Sequence, residues 1–425
     1  MNMRKIFFVF ILSLTLIPIQ NLFGFEMPVL FLLIPLWLFL FVFMLLGRVK
    51  LPKFSRAIII IFILIIIEIF ISTLVGSTLI LGNFSFPNDV IHYVARFLTY
   101  LFFSTLFYYK RFSTNFFIKT FMIVLILGML IGVLQWLPWP GQKILLQLYP
   151  YRDGGEQLAL LGRDLSVVRI HGWAQFATAN GALGMMAFVV ALTVFIYMNK
   201  YKLASVILMI LSILNIVISQ ARAGMLAFVF AIIMMYFVHM YITKRPFKSS
   251  LKYIILLVFS TIVLRILYIN QNPFLERIIY RWDALFETSG GARVDQIEYG
   301  LSLITNPLTL LYGISRAVQS EYVFHIEVEP VNIFVLNGLI GFILQYGLVV
   351  ILLIYFAKNL KLFSNMPQVK VLLVSSFVVL ASYQVFSIAY FFYREARVGL
   401  IPWILFGVTV GVVEYYKKQN KGRFD

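Results

Sequence analysis

The sequence contains no cysteine, which excludes disulfides, thiolate metal sites and cysteine nucleophiles. Charge is scarce as well: only 12% of the 425 residues are Asp, Glu, Lys or Arg, whereas ordinary soluble domains are roughly a quarter charged. Acidic residues are the rarer sign, 17 against 35 Lys and Arg. The four histidines, His92, His171, His239 and His325, are scattered without metal-ligand spacing, and no Asp-x-Asp pair occurs. Nothing repeats at a fixed period, and the two halves show no matching Gly- or Pro-broken helices. An inverted-repeat transporter is disfavoured on that ground.

Apolar residues are what the chain has in excess, at 62%. A soluble fold of this length has no way to bury them, whereas a bilayer supplies an apolar solvent. Apolar runs long enough to cross the hydrocarbon fall at 5–23, 28–46, 57–81, 90–109, 116–136, 174–198, 203–218, 223–243, 253–269, 333–357, 371–391 and 398–416. The expected fold is an all-α polytopic membrane protein, one integral membrane domain over 1–425 with about a dozen transmembrane helices. The first run follows a short basic start but lacks a small-x-small cleavage site, so it reads as a retained anchor.

The net charge of +18 follows this topology and does not require nucleic acid. With the N-terminus inside, the alternate connections from Arg4–Lys5 through Lys417–Arg423 carry 22 of the 35 cations, 16 of them lysine. That excess is the positive-inside pattern, and it puts both termini in the cytoplasm. The other 13 are Lys143 and twelve arginines, among them Arg96, Arg169, Arg222, Arg293 and Arg316. Arginine offers a planar fork that binds phosphate bidentately. An outer face using arginine almost exclusively suits an anion such as a lipid pyrophosphate; the alternative is that these arginines pair with acids on the same side.

Two large extracytoplasmic loops, 137–173 and 270–332, stand out by length, and function is expected there. Four patches carry polar chemistry. Arg169-Ile170-His171-Gly172-Trp173, leading to Asn180-Gly181, forms the mouth of the sixth run, where free N–H groups can hold an anion; an interfacial cap with Trp173 in the aromatic belt is the alternative. Ser219-Gln220-Ala221-Arg222-Ala223-Gly224 is a tight turn that presents one arginine, either to a ligand or to lipid headgroups. Arg293 to Gly313 contains an amphipathic stretch at 294–304 and Asn306-Pro307, with Asp295 and Glu298 as possible ion partners of Arg293. His325-Ile326-Glu327-Val328-Glu329-Pro330-Val331-Asn332 leads into the tenth run. There Glu329 or His325 can serve as a general base, or Glu329 can answer the helix dipole. Inside the membrane, Asp89, His92 and Arg96 share a helix face. Glu68 reads as a partner for Arg96, with a proton path as the functional alternative.

In order and placement these patches resemble the O-antigen ligase/polymerase superfamily. The resemblance covers about residues 165–350 and rests on Arg169, Gly172, Asn180 and Gly181; on Ser219, Arg222 and Gly224; on Arg293, Asn306-Pro307 and Gly313; and on Asn332 followed by Gly338, Gly341 and Gly347. Ligases of the superfamily carry a histidine two or three residues before the asparagine, where this chain has Glu329-Pro330-Val331, so the polymerase (Wzy-type) branch is the better fit. Arg169 and Gly181 enclose eleven residues, against ten in the polymerase pattern. The resemblance implies a GT-C-like fold in a bacterial inner membrane. It also implies metal-independent and cofactor-independent block transfer of undecaprenyl-diphosphate-linked oligosaccharide repeats into a polysaccharide. Arg169, His171, Asn180, Arg222, Arg293 and Asn332 would contact pyrophosphate or glycan, and Glu329, His325 and Arg222 would be catalytic. Membrane lipid, a chain-length regulator and a flippase are the implied partners. The alternatives are a ligase using another acceptor and a lipid-linked oligosaccharide flippase.

Overall fold

The computed structural model describes residues 3–18, 20–22, 25–27, 34–35, 37–39, 42, 51–87, 89–149, 169–174, 176–244, 292–322, 324, 326–388, 390 and 396–419. Helix dominates: α1 Met3–Ser13, α2 Lys53–Gly76, α3 Val90–Tyr108, α4 Thr114–Trp136, α5 Gln142–Leu148, α6 Ala177–Tyr197, α7 Lys202–Ser219 and α8 Arg222–Thr243 lead the order. The short helices α9 Ala292–Ser302, α10 Pro307–Tyr312 and α11 Ser315–Glu321 follow, then α12 Glu329–Leu360, α13 Pro367–Ser387 and α14 Ala396–Gln419. The one β element among the described residues is a ribbon of β1 Gln20–Leu22 antiparallel to β2 Phe25–Met27, with Asn21 opposite Glu26.

Nine of the described helices are long and apolar enough to cross a membrane, and they coincide with nine of the twelve apolar runs. The protein is an all-α membrane protein. Run 253–269 and most of run 28–46 lie outside the described residues. Run 5–23 departs from expectation. Its helix stops at Ser13 and tightens into a 3₁₀ turn over Leu14–Leu16, and the chain is extended by Ile17. Eleven helical residues reach about 16 Å, roughly half the hydrocarbon thickness. Pro18, which cannot continue a helix, follows directly.

Two compact units divide the chain. The first comprises Met1–Val124, Ala292–Leu380 and Ser387–Asp425; the second comprises Leu125–Gly291 and Ala381–Phe386. The first unit is packed by aromatics: Phe8 lies against Phe103, Phe107, Phe112, Phe116 and Phe117, and Trp403 packs edge-on against Phe62 and Tyr100. In the second unit α6 is buried along its length against α7 and α8. Close helix approach there depends on small residues. A Cβ on Gly224 would lie 3.0 Å from the Gly181 backbone, so the two glycines meet chain to chain.

A break in α12 was not anticipated. Gly338 has φ 62° and ψ −168°, which interrupts the helix. A Cβ there would lie 2.3 Å from the Leu311 carbonyl oxygen, and one on Gly313 (φ 78°) would lie 2.3 Å from that of Leu336. The α10–α11 connection therefore enters the break backbone to backbone, and only glycine fits both positions. Ile314 N–H donates to the Val335 carbonyl at 2.9 Å, and Ser72 Oγ donates to that of Leu336 at 2.5 Å.

Candidate functional site

In the second unit, two separate sequence patches interlock. The Arg169 segment is pinned to the end of α7: Ile170 N–H donates to the Ile218 carbonyl at 3.1 Å, and Arg169 Nε donates to that of Ser219 at 3.2 Å. Arg169 Nη2 also donates to Thr178 Oγ1 at 3.2 Å on the first turn of α6. Gly172 turns at φ 59° against the Asn180 side chain, where a Cβ would lie 2.5 Å from Oδ1. Asn180 Nδ2 donates to the Ile170 carbonyl at 3.3 Å and to Asn215 Oδ1 at 3.1 Å, while Asn215 Nδ2 donates to the Met129 carbonyl at 2.7 Å. Arg169, Gly172, Thr178 and Asn180 thus each have a local structural reason.

Arg222 is the first residue of α8, three residues beyond the carbonyl that holds Arg169. The turn passes through Gln220 in the left-handed region at φ 49°, and Ala221 precedes the helix with no side-chain cap. The first N–H groups of α8 and the Arg222 guanidinium, which is half-buried, favour an anion at this corner.

His171 and Asn180, expected as substrate contacts, are enclosed and engaged by protein groups. His171 Nε2 bonds the Tyr149 carbonyl, with Gln135 Nε2 at 3.4 Å. Both residues position the segment and have no open surface for a glycan. Trp173 is fully buried against Gly128 of α4, and does not belong to an interfacial belt. Gln135 and Asn215 were missed from sequence. Their signal is a carboxamide inside an apolar run, which in a membrane helix is retained for a partner.

In the first unit a different cluster gathers. Glu329 opens α12, only 1% exposed, where the positive end of the helix favours a carboxylate. Asn332 lies within the same first turn, and its Oδ1 accepts from Gln319 Nε2 at 3.2 Å; Gln319 Oε1 accepts from Arg316 Nη1 at 3.1 Å. Arg316 Nε faces Asp89 Oδ1 at 3.8 Å. Asp89, His92, Tyr93, Glu329 and Asn332 line one narrow cleft. A larger cleft of about 540 Å³ adjoins it, sharing Asp89, His92 and Asn337 and reaching Ser72, Phe86 and Arg316. That volume is typical of a small-molecule site.

Three further expectations are settled in this unit. Arg293 pairs with Glu327, Nη2 to Oε2 at 2.8 Å, and not with Asp295 or Glu298. On α9 the acids at i+2 and i+5 point away from it, while the segment before α12 brings Glu327 alongside. Asn306-Pro307 is a helix start: Asn306 Oδ1 accepts from Thr309 N–H at 3.0 Å and Thr309 Oγ1 from Asn306 N–H at 3.2 Å, with Pro307 in the first turn. Glu68 does not pair with Arg96. It lies beside Asn337, whereas Arg96 stacks on Tyr93 at 5.2 Å and packs against Gly399. His325 lies outside the described residues, as does 150–168 of the first large loop.

The structure thus defines a helical membrane protein with an arginine-bearing corner in one unit and a polar cleft in the other. Comparison of the sequence with protein-family models and with curated proteins returns no match.

Proposed function

We propose that the protein is a membrane glycosyltransferase that polymerises undecaprenyl-diphosphate-linked oligosaccharide repeats, in the manner of the O-antigen ligase/polymerase superfamily. In this reading it crosses a bacterial inner membrane about twelve times in a GT-C-like arrangement, with both termini cytoplasmic. The acceptor hydroxyl attacks the anomeric carbon of the donor glycan. The new glycosidic C–O bond forms as the C–O bond to the diphosphate breaks, and undecaprenyl diphosphate departs. Arg222 and Arg169 stabilise the diphosphate as charge develops on it, a role that fixed guanidinium groups fill without a metal. The acceptor hydroxyl gives up its proton to a general base as the bond forms.

One observation supports this reading above the others. Two of the four motifs on which the resemblance rests, Arg169–Gly181 and Ser219–Gly224, are knitted together by the Arg169–Ser219 bond and the Gly181–Gly224 contact. That arrangement presents a half-buried arginine at an uncapped helix start, the chemistry a diphosphate needs. Reconstitution of the purified protein with lipid-linked repeats is the test. Longer lipid-linked chains without added energy are the expected product. Translocation of unchanged repeats would mean a flippase, and transfer only to a different acceptor would mean a ligase.

A further inference from the structure

Glu68 stands apart from the chemistry proposed above. It lies in the middle of α2, 2% exposed, and its two carboxyl oxygens complete no well-formed hydrogen bond among the described residues. Among the described residues no Lys or Arg pairs with it. An isolated carboxylate at that depth is costly and persists in membrane proteins where something neutralises it.

The surroundings are arranged around it. Gly341, just past the α12 break, has no side chain where a Cβ would lie 2.7 Å from Glu68 Oε2, so the absent methyl admits the carboxyl. Asn337, just before the break, is its polar neighbour. Tyr93 Oη donates to Gln345 Oε1 at 2.9 Å, and Gln345 Nε2 donates to Asn337 Oδ1 at 3.5 Å. The Asn337 amide nitrogen remains to donate towards Glu68. Ser72, one turn along α2, binds the Leu336 carbonyl and lines the 540 Å³ cleft together with Asn337. A carboxyl beside a broken helix, with backbone carbonyl, hydroxyl and carboxamide oxygens nearby and a cleft leading to them, has the make-up of a membrane cation site.

We propose that Glu68 and the α12 break form a binding site for a small monovalent cation, a proton or sodium, exchanged through the cleft lined by Ser72 and Asn337. The groups facing Glu68 from the packed helices are Tyr93 on α3 and the amide of Asn337 on α12, with Gln345 behind Asn337; Arg96 of α3 is directed to Tyr93 and Gly399. None of these supplies a fixed positive charge to Glu68.

Dicyclohexylcarbodiimide, which modifies only protonated carboxyls reached from the apolar phase, reads the occupancy directly. The full-length protein in liposomes is labelled between about pH 5 and pH 9, with sodium or potassium at equal ionic strength, and the Glu68 peptide is followed by mass spectrometry. Glu68→Gln, a near-isosteric change, is expected to remove the label while leaving the thermal melt intact. A labelling rate that falls about tenfold per pH unit above its midpoint, indifferent to sodium, identifies the cation as a proton. Suppression by sodium but not potassium at fixed pH identifies sodium. No label on Glu68, or a label unaffected by both pH and sodium, overturns the site.

Discussion

The corner around Arg169 and the cleft around Arg316 both bring together polar residues from distant parts of the chain, but they are built differently. Around Arg169 the side chains of Arg169, Asn180, Asn215 and Gln135 bind backbone carbonyls, those of Ser219, Ile170, Met129 and Gly172 respectively. The bonds run from 2.7 to 3.3 Å and are mostly buried, and glycines 172, 181 and 224 let the backbones close in. Around Arg316 the contacts run side chain to side chain, Asp89 to Arg316 to Gln319 to Asn332, and the ion pair is 3.8 Å long with both partners part-exposed. The first arrangement fixes a conformation and places Arg222 on a rigid turn. The second leaves side chains that can exchange partners when a ligand enters. Rigid presentation suits a diphosphate, and an adaptable polar cleft suits a sugar.

The contrast should appear in stability measurements. The largest effect is expected at the interlock that shapes the cleft's floor. Gly338→Ala forces a left-handed alanine and a methyl onto the Leu311 carbonyl. A loss of at least about 3 kcal/mol should show as a collapse of the monodisperse fraction in size-exclusion chromatography. Next comes Asn215→Leu in the rigid corner. It strands the Met129 carbonyl and the Asn180 amide, at about 2–3 kcal/mol, read as a lowered thermal midpoint. Smallest is Arg316→Ala in the cleft, where a long, part-exposed pair is worth under about 1 kcal/mol and the midpoint should barely move. If Arg316→Ala destabilised more than Asn215→Leu, the distinction between the two regions would be wrong.

The helices were legible because a run of about 20 apolar residues has one inexpensive conformation in a bilayer. The amphipathic stretch at 294–304 is found as α9 within two residues of its expected ends. The break at Gly338 was not legible. Glycine is common in membrane helices, and nothing local marks Asn337-Gly338; the reason for the break is Gly313, which arrives from a different segment. Partner choice failed for the same cause. Arg293 with Asp295 or Glu298 was inferred from proximity in sequence, and Glu68 with Arg96 from the cost of two lone ionisable groups inside a membrane, whereas Glu327 and Asn337 are brought in by tertiary packing. Of the residues singled out from sequence, Arg169 lies in the interlocked corner with Arg222 at the adjoining helix start, and Glu329 and Asn332 line the narrow cleft. The supporting carboxamides Gln135 and Asn215 were passed over, since a single amide in an apolar run does not announce what it will bind, and Gln319 because it lies in a long loop with no pattern around it.

The central claim is that Arg222 holds the departing diphosphate, and the glycan ladder made by cells carrying Arg222 variants tests it most directly. Arg222→Ala is expected to cut polymer at least about 100-fold, leaving single repeats, with the thermal midpoint of the purified protein near wild type. Arg222→Lys should restore only part of the ladder, because a point charge replaces a bidentate fork. An unchanged ladder in Arg222→Ala, from a protein that folds normally, would contradict the account.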